Sequence, residues 1–328
     1  MADFPLRLTS ADYARVMPLA AGQVRAEGIA LDLVLGRDGS WPLRAQMLSR
    51  ALSDPDVQGG EGSMGQHVRR VAAGDRSHVA LPVFLLRGFL HRDLYVRKGG
   101  GAVRTPADLA GRKVGMYSWF ASGSIWYRQA QADMGVPVDQ VEWVIGDIET
   151  AAPADPAGLP PHARPAPAGR AVADLLAAGE IDAMWSPPRP RLYHPLNGPI
   201  VRLLPDFRPV ERDYWDRFRF WPAMHLLIVR RAAWEAHPRM GRALVDAFNA
   251  SDAQCEASQR GFPVATPWLE AELEETGLLM GQGYGRHGVE ANRAMLDLFC
   301  ATAFELGLTA RRVTVEEYFA EYLAAGGV

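Results

Sequence analysis

Apolar and polar residues alternate from Phe4 to Leu8, which predicts a strand at the very start of the chain. Tyr13 to Leu19 then reads as a short helix ended near Gly22, and Gly28 to Leu35 as a second strand. Leu43, Met47, Leu48 and Leu52 recur at helical spacing within Pro42–Leu52. The glycine cluster Gln58-Gly59-Gly60-Glu61-Gly62-Ser63-Met64 predicts a loop where backbone approaches a ligand, and Gln66–Ala73 a helix. Val79 to Val96 is mostly apolar but carries Pro82, Arg87, Gly88 and His91, so it predicts two strands with an irregular crossing between them.

The same alternation continues. A threonine cap and a proline at the first position start a single turn at Thr105–Leu109. Lys113–Met116 is a strand, Ser118–Ser124 leads into a helix running to about Met134, and Val141–Ile145 is the next strand. Ala151–Gly169, rich in alanine and proline, predicts an extended loop. A helix over Ala171–Ala177, a strand over Ile181–Trp185 and a strand over His225–Val229 follow. Amphipathic helices are expected at Arg239–Arg260, Ala291–Leu306 and Val315–Leu323. Strands alternating with helices through short connections argue an α/β fold with mostly parallel sheets.

Composition narrows the chemistry. The 328 residues exceed the usual size of a single hydrophobic core, so two lobes are expected. Net charge is -3 with no basic block, so neither a nucleic acid nor a membrane is an expected partner. Lysine occurs only at Lys98 and Lys113, both in polar turn-like runs, which argues against Schiff-base and pyridoxal chemistry. Cys255 and Cys300 show neither metal spacing nor a disulfide framework. The start of the chain has no basic region followed by an apolar stretch, and no run long enough to span a bilayer occurs, so a cytoplasmic location is expected.

Five stretches carry candidate chemistry. If extended, Arg87, Phe89 and His91 share a face that suits an aromatic carboxylate; a surface ion pair and a structural histidine fit the same residues. Tyr117-Ser118-Trp119-Phe120-Ala121-Ser122-Gly123-Ser124 joins a strand to a helix, where free amides and hydroxyls make an anion site or Ser122 a plain cap. Arg189 follows a strand in a proline-stiffened loop, and His225 opens an apolar strand. Gly281, Gly283 and Gly285 alternate ahead of His287, but no strand precedes them, which argues against a dinucleotide site.

Together these stretches resemble the 4,5-dihydroxyphthalate decarboxylases. The resemblance rests on Asp12-Tyr13 through Gly28-Ile29, Leu81-Pro82-Val83-Phe84 to His91, and Asp108-Leu109-Ala110-Gly111-Arg112-Lys113-Val114-Gly115. It continues in Gly179-Glu180-Ile181-Asp182-Ala183, Phe220 to His225, Pro267-Trp268-Leu269 and Gly288-Val289-Glu290-Ala291-Asn292-Arg293. It implies a two-lobed type II periplasmic-binding-protein-like fold with a central ligand cleft. Lobe 1 would comprise residues 1–92 and 222–328, and lobe 2 residues 93–221.

The resemblance also implies non-oxidative decarboxylation of a hydroxylated aromatic carboxylate in aromatic catabolism. In that reading Arg87 and the Ser122/Ser124 helix start hold carboxylates, either His91 or His225 donates the proton, and Glu61 binds a ring hydroxyl. Phe84, Ser63, Tyr117, Arg189 and His287 complete the expected substrate contacts. No cofactor is expected; a divalent metal on Glu61 and histidines stays open, as does a homo-oligomer. The competing class is a solute-binding protein of a transport or sensing system that captures a small aromatic or thiamine-precursor-like ligand without catalysis.

Overall fold

The computed structural model describes residues 3–36, 41–261 and 266–327. In chain order the strands are β1 (Phe4–Ala11), β2 (Ile29–Gly36), β3 (Gly59–Ser63), β4 (His78–Arg87), β5 (Leu94–Arg97), β6 (Lys113–Met116), β7 (Glu142–Ile145), β8 (Ala163–Pro165), β9 (Ala183–Trp185), β10 (Ile200–Arg202) and β11 (Ala223–Arg230). The chain divides into two compact units. Unit 1 is Met1–Gly88, Phe218–Phe304 and Thr309–Val328; unit 2 is Phe89–Arg217 and Glu305–Leu308.

Unit 1 is built on a five-stranded sheet in the order β2-β1-β3-β11-β4. β1 runs parallel to β2 and β3, while β11 is antiparallel to both β3 and β4. The carboxyl ends of β1, β3 and β4 therefore lie at one end of the sheet, together with the start of β11. Leu6, Leu8, Val83, Phe84, Leu226 and Val229 fill its core.

Unit 2 has a six-stranded sheet in the order β10-β5-β9-β6-β7-β8. β9, β6, β7 and β8 are parallel, and β5 and β10 are antiparallel additions. Tyr95, Val144, Val172, Leu176, Ile181 and Met184 form its packed centre.

Three sequence expectations change. The glycine cluster is not a loop: Gly59–Ser63 is β3, held between β1 and β11. A Cβ on Gly60 would stand 2.1 Å from Thr9 Oγ1 and 2.5 Å from the Thr9 carbonyl oxygen, and one on Gly59 2.2 Å from the Ile228 carbonyl oxygen. Glycine is there because neighbouring backbones close in, not because a ligand does. Ala151–Gly169 contains β8, which pairs with β7. Arg87 to His91 is not continuously extended, because β4 ends at Arg87 and His91–Asp93 is a single 3-10 turn. β10 and the helices Arg208–Phe218 and Leu269–Met280 were not anticipated.

Candidate active site

The candidates in unit 1 gather at the carboxyl end of its parallel strands, where open α/β sheets place ligands. Register explains the meeting of Glu61 and His225. His225 lies opposite Ser63 and Leu227 opposite Glu61, so Glu61 and His225 are diagonal neighbours on one face of an antiparallel pair. His225 Nδ1 is 2.6 Å from Glu61 Oε1. The Tyr13 hydroxyl donates to the same oxygen at 2.6 Å, and the Ala11 amide donates to Oε2 at 2.9 Å.

Glu61 is 1% exposed. Burial pushes its carboxyl up, but the bonds from His225, Tyr13 and the Ala11 amide outweigh that and hold it below the ordinary value. The same arrangement raises the Tyr13 phenol, through burial first and the Glu61 charge second, so it stays protonated. With Nδ1 engaged by a carboxylate, Nε2 is the nitrogen His225 has left for a substrate. Both Glu61 oxygens are taken by protein donors, so its geometry suits orienting His225 better than receiving a ring hydroxyl.

Arg87, Phe84 and His287 meet in a second group in unit 1. Arg87 Nη1 donates to the Trp221 carbonyl at 2.9 Å and Nη2 to Asn292 Oδ1 at 2.7 Å, with its guanidinium carbon 4.8 Å from the Phe84 ring centre. Burial holds it down to about 9. The Phe84 amide donates to His287 Nδ1 at 3.0 Å, which leaves the proton of this buried imidazole on Nε2. Ser63 caps the helix Met64–Ala72, accepting from the Gln66 amide.

Unit 2 places its candidates at the carboxyl ends of β6 and β9. Tyr117 follows β6 and packs on Trp185 of β9, ring centres 5.8 Å apart; Tyr127 stacks on Trp185 at 5.2 Å. The helix Ser122–Asp133 begins here with Ala121 as its cap residue, so Ser122 is the first helical position rather than the cap. Ser122 and Ser124 are buried. Arg189 is exposed in the loop after β9.

His91 lies buried against Tyr214, rings edge-on at 5.2 Å, and neither of its nitrogens has a hydrogen-bond partner among the described residues. Burial holds it down to about 4, so it is neutral near pH 7. The structure thus brings His225 and Glu61 together in unit 1 and places His91 in unit 2.

Two residues escaped the sequence reading. Tyr13 shares an oxygen of Glu61 with His225, and no spacing in the sequence announces it. Arg128 is fully buried in the helix Ser122–Asp133. Its Nε donates to the Ser124 carbonyl at 2.9 Å and Nη2 to the Trp119 carbonyl, with its guanidinium carbon 3.7 Å from the Trp119 ring centre. Nη1 is buried without a hydrogen-bond partner among the described residues, and burial holds the group down to about 9. A helical arginine is ordinarily solvated, so only Trp119, nine residues earlier in the chain and packed against it in the fold, reveals its burial.

Among the described residues, no group of three His, Cys, Asp or Glu side chains could hold a metal ion, and no helix is long and apolar enough to cross a membrane. No protein-family model matches the chain. It is 30% identical over 327 residues to the 4,5-dihydroxyphthalate decarboxylase of Comamonas testosteroni, covering 97% of each chain. It is 28% identical over 193 residues to the 4,5-dihydroxyphthalate decarboxylase of Pseudomonas putida, covering 57% of this chain and 72% of that one. Among solved structures it is similar to the periplasmic aliphatic sulphonate binding protein SsuA of Escherichia coli, with a TM-score of 0.53 and 16% identity over 97% of this chain and 100% of that one. The likeness shows a periplasmic-binding-protein fold.

Proposed function

The chain belongs to the 4,5-dihydroxyphthalate decarboxylase family, and on that premise we propose that it is a carboxy-lyase removing CO2 from a hydroxylated aromatic acid without oxidation. The observation that supports this reading is the Tyr13–Glu61–His225 cluster at the carboxyl end of the unit 1 sheet. A ring hydroxyl para to the departing carboxylate pushes electron density onto the carbon that bears it. Protonated His225 gives its Nε2 proton to that carbon, the carbon–carboxylate bond breaks, and its electron pair restores the aromatic ring as CO2 leaves. Solvent returns the proton to His225. Glu61 keeps its negative charge throughout and orients the imidazole through Nδ1.

Carboxyl loss from 4,5-dihydroxyphthalate gives 3,4-dihydroxybenzoate and CO2, and both can be followed. The purified chain is expected to release them in equal amounts, and His225→Asn to lower kcat by about 10²-fold or more. Retention of the unchanged acid by the protein with no CO2 would instead favour a binding protein, a role the fold also serves in SsuA.

A further inference from the structure

The alternate-glycine run has no part in the chemistry above, yet its residues from Gln282 to Gly285 form one wall of a cavity of about 630 Å³ whose lining lies wholly within unit 1. That volume is in the range of small-molecule sites, which are commonly about 300–1,000 Å³. Tyr13, Glu61 and His225 do not line it; Arg15, Trp221, Asp252, Tyr284 and Arg286 do.

Its walls are aromatic and charged at once. Trp221 and Tyr284 have ring centres 5.7 Å apart and tilted by 51°, too close for a third ring between them but open to one laid against them. Arg15 stands 5.6 Å over Trp221 while its Nη2 donates to the Leu85 carbonyl at 2.6 Å, so its place is fixed. Asp252 is held by longer contacts, 3.7 Å from Arg15 Nη1 and 3.4 Å from His287 Nε2. Nδ1 of His287 accepts from the Phe84 amide, so Nε2–H faces Asp252 and keeps that carboxyl in place. The side chain of Asp252 remains 23% exposed, and it has room to accept a further donor. Burial raises it to about 6, against the pull of Arg15 and Arg87. Arg286 forms no ion pair among the described residues.

We infer that this cavity is a second binding site for a hydroxylated aromatic acid, separate from Glu61 and His225. The ring lies against Trp221 and Tyr284, a ring hydroxyl donates to Asp252, and the carboxylate faces Arg286. The choice of ligand rests on the proposed function; the site rests on the cavity.

The probe is 3,4-dihydroxybenzoate, added to the full chain labelled with 15N-tryptophan, the Trp221 indole signal being assigned with Trp221→Phe. The Trp221 signal is expected to shift saturably, and Asp252→Asn to weaken that saturation about tenfold or more. Benzoate, lacking the hydroxyls, is expected to bind the parent chain as weakly as 3,4-dihydroxybenzoate binds Asp252→Asn. Tyr284→Leu, which leaves the ion pairs intact, gives an independent check and is expected to weaken binding too. An unmoved Trp221 signal, or saturation indifferent to both substitutions, overturns the inference. Because CO2 release is read separately, a chain that decarboxylates with an unmoved Trp221 loses only the second site. A shifted Trp221 in a chain that releases no CO2 loses only the proposed activity.

Discussion

The two units put different chemistry at the carboxyl ends of their parallel strands. Unit 1 brings titratable groups together: a buried carboxylate, an imidazole and a phenol that meet at Glu61 Oε1. Unit 2 offers hydroxyls at a helix start, aromatic rings and a buried guanidinium that donates to carbonyl oxygens. The histidines repeat the contrast. His225 has a carboxylate partner, whereas His91 is buried beside Tyr214 without one among the described residues. Glu61 is compensated by an imidazole and a phenol, whereas Arg128 of unit 2, like Arg87 of unit 1, is held by neutral oxygens and an aromatic ring. The proposed proton transfer rests on the first arrangement.

The largest test of this contrast is turnover. Glu61→Gln keeps the shape but removes the charge that orients His225, and is expected to lower kcat about 10²-fold or more. Ser124→Ala is expected to change kcat less than about tenfold, since it removes one hydroxyl and no proton carrier. Equal losses in steady-state assays would erase the distinction between the units.

Next in size is stability. Arg128→Ala leaves a void beside Trp119 and takes the donors from two carbonyls, so urea unfolding should show a loss of about 2–4 kcal/mol. An unchanged midpoint would mean that Arg128 is not an integral part of unit 2.

The smallest effect concerns His91. Folded His91 is held down to about 4 from an ordinary 6.5. Between those values the unfolded chain binds the extra proton, so this group makes stability fall as pH drops from 6.5 towards 4. His91→Leu should therefore lose less Tm than the parent between pH 7.5 and pH 5. A parallel fall in both would show that His91 does not titrate on unfolding as its burial requires.

Much of the α/β alternation was legible because β1, β2, β4 and β11 carry plain apolar patterns bounded by polar turns. β3 was not. Its Gly59 and Gly60 look like loop residues, and only the approach of Thr9 and Ile228 from adjoining strands explains them. β8 and β10 are three-residue strands defined by their partners rather than by periodicity. At the site, Glu61 and His225 stood out singly, but their pairing depends on the register between β3 and β11. Tyr13 and Arg128 gave no local sign, because each owes its surroundings to residues brought in by the fold.

The order of strands in unit 1 also has a consequence for synthesis. β4 joins its sheet through β11, and β11 leaves the ribosome only after all of residues 89–217. Until then β3 and β4 each have an edge awaiting the same missing strand, and Glu61 has no imidazole beside it. Nascent unit 1 is thus a template with a vacant slot, open to pairing with other chains for as long as unit 2 is being translated. Completion of the sheet and assembly of the Glu61–His225 pair become one event, so the pair forms only when the architecture of unit 1 is closed.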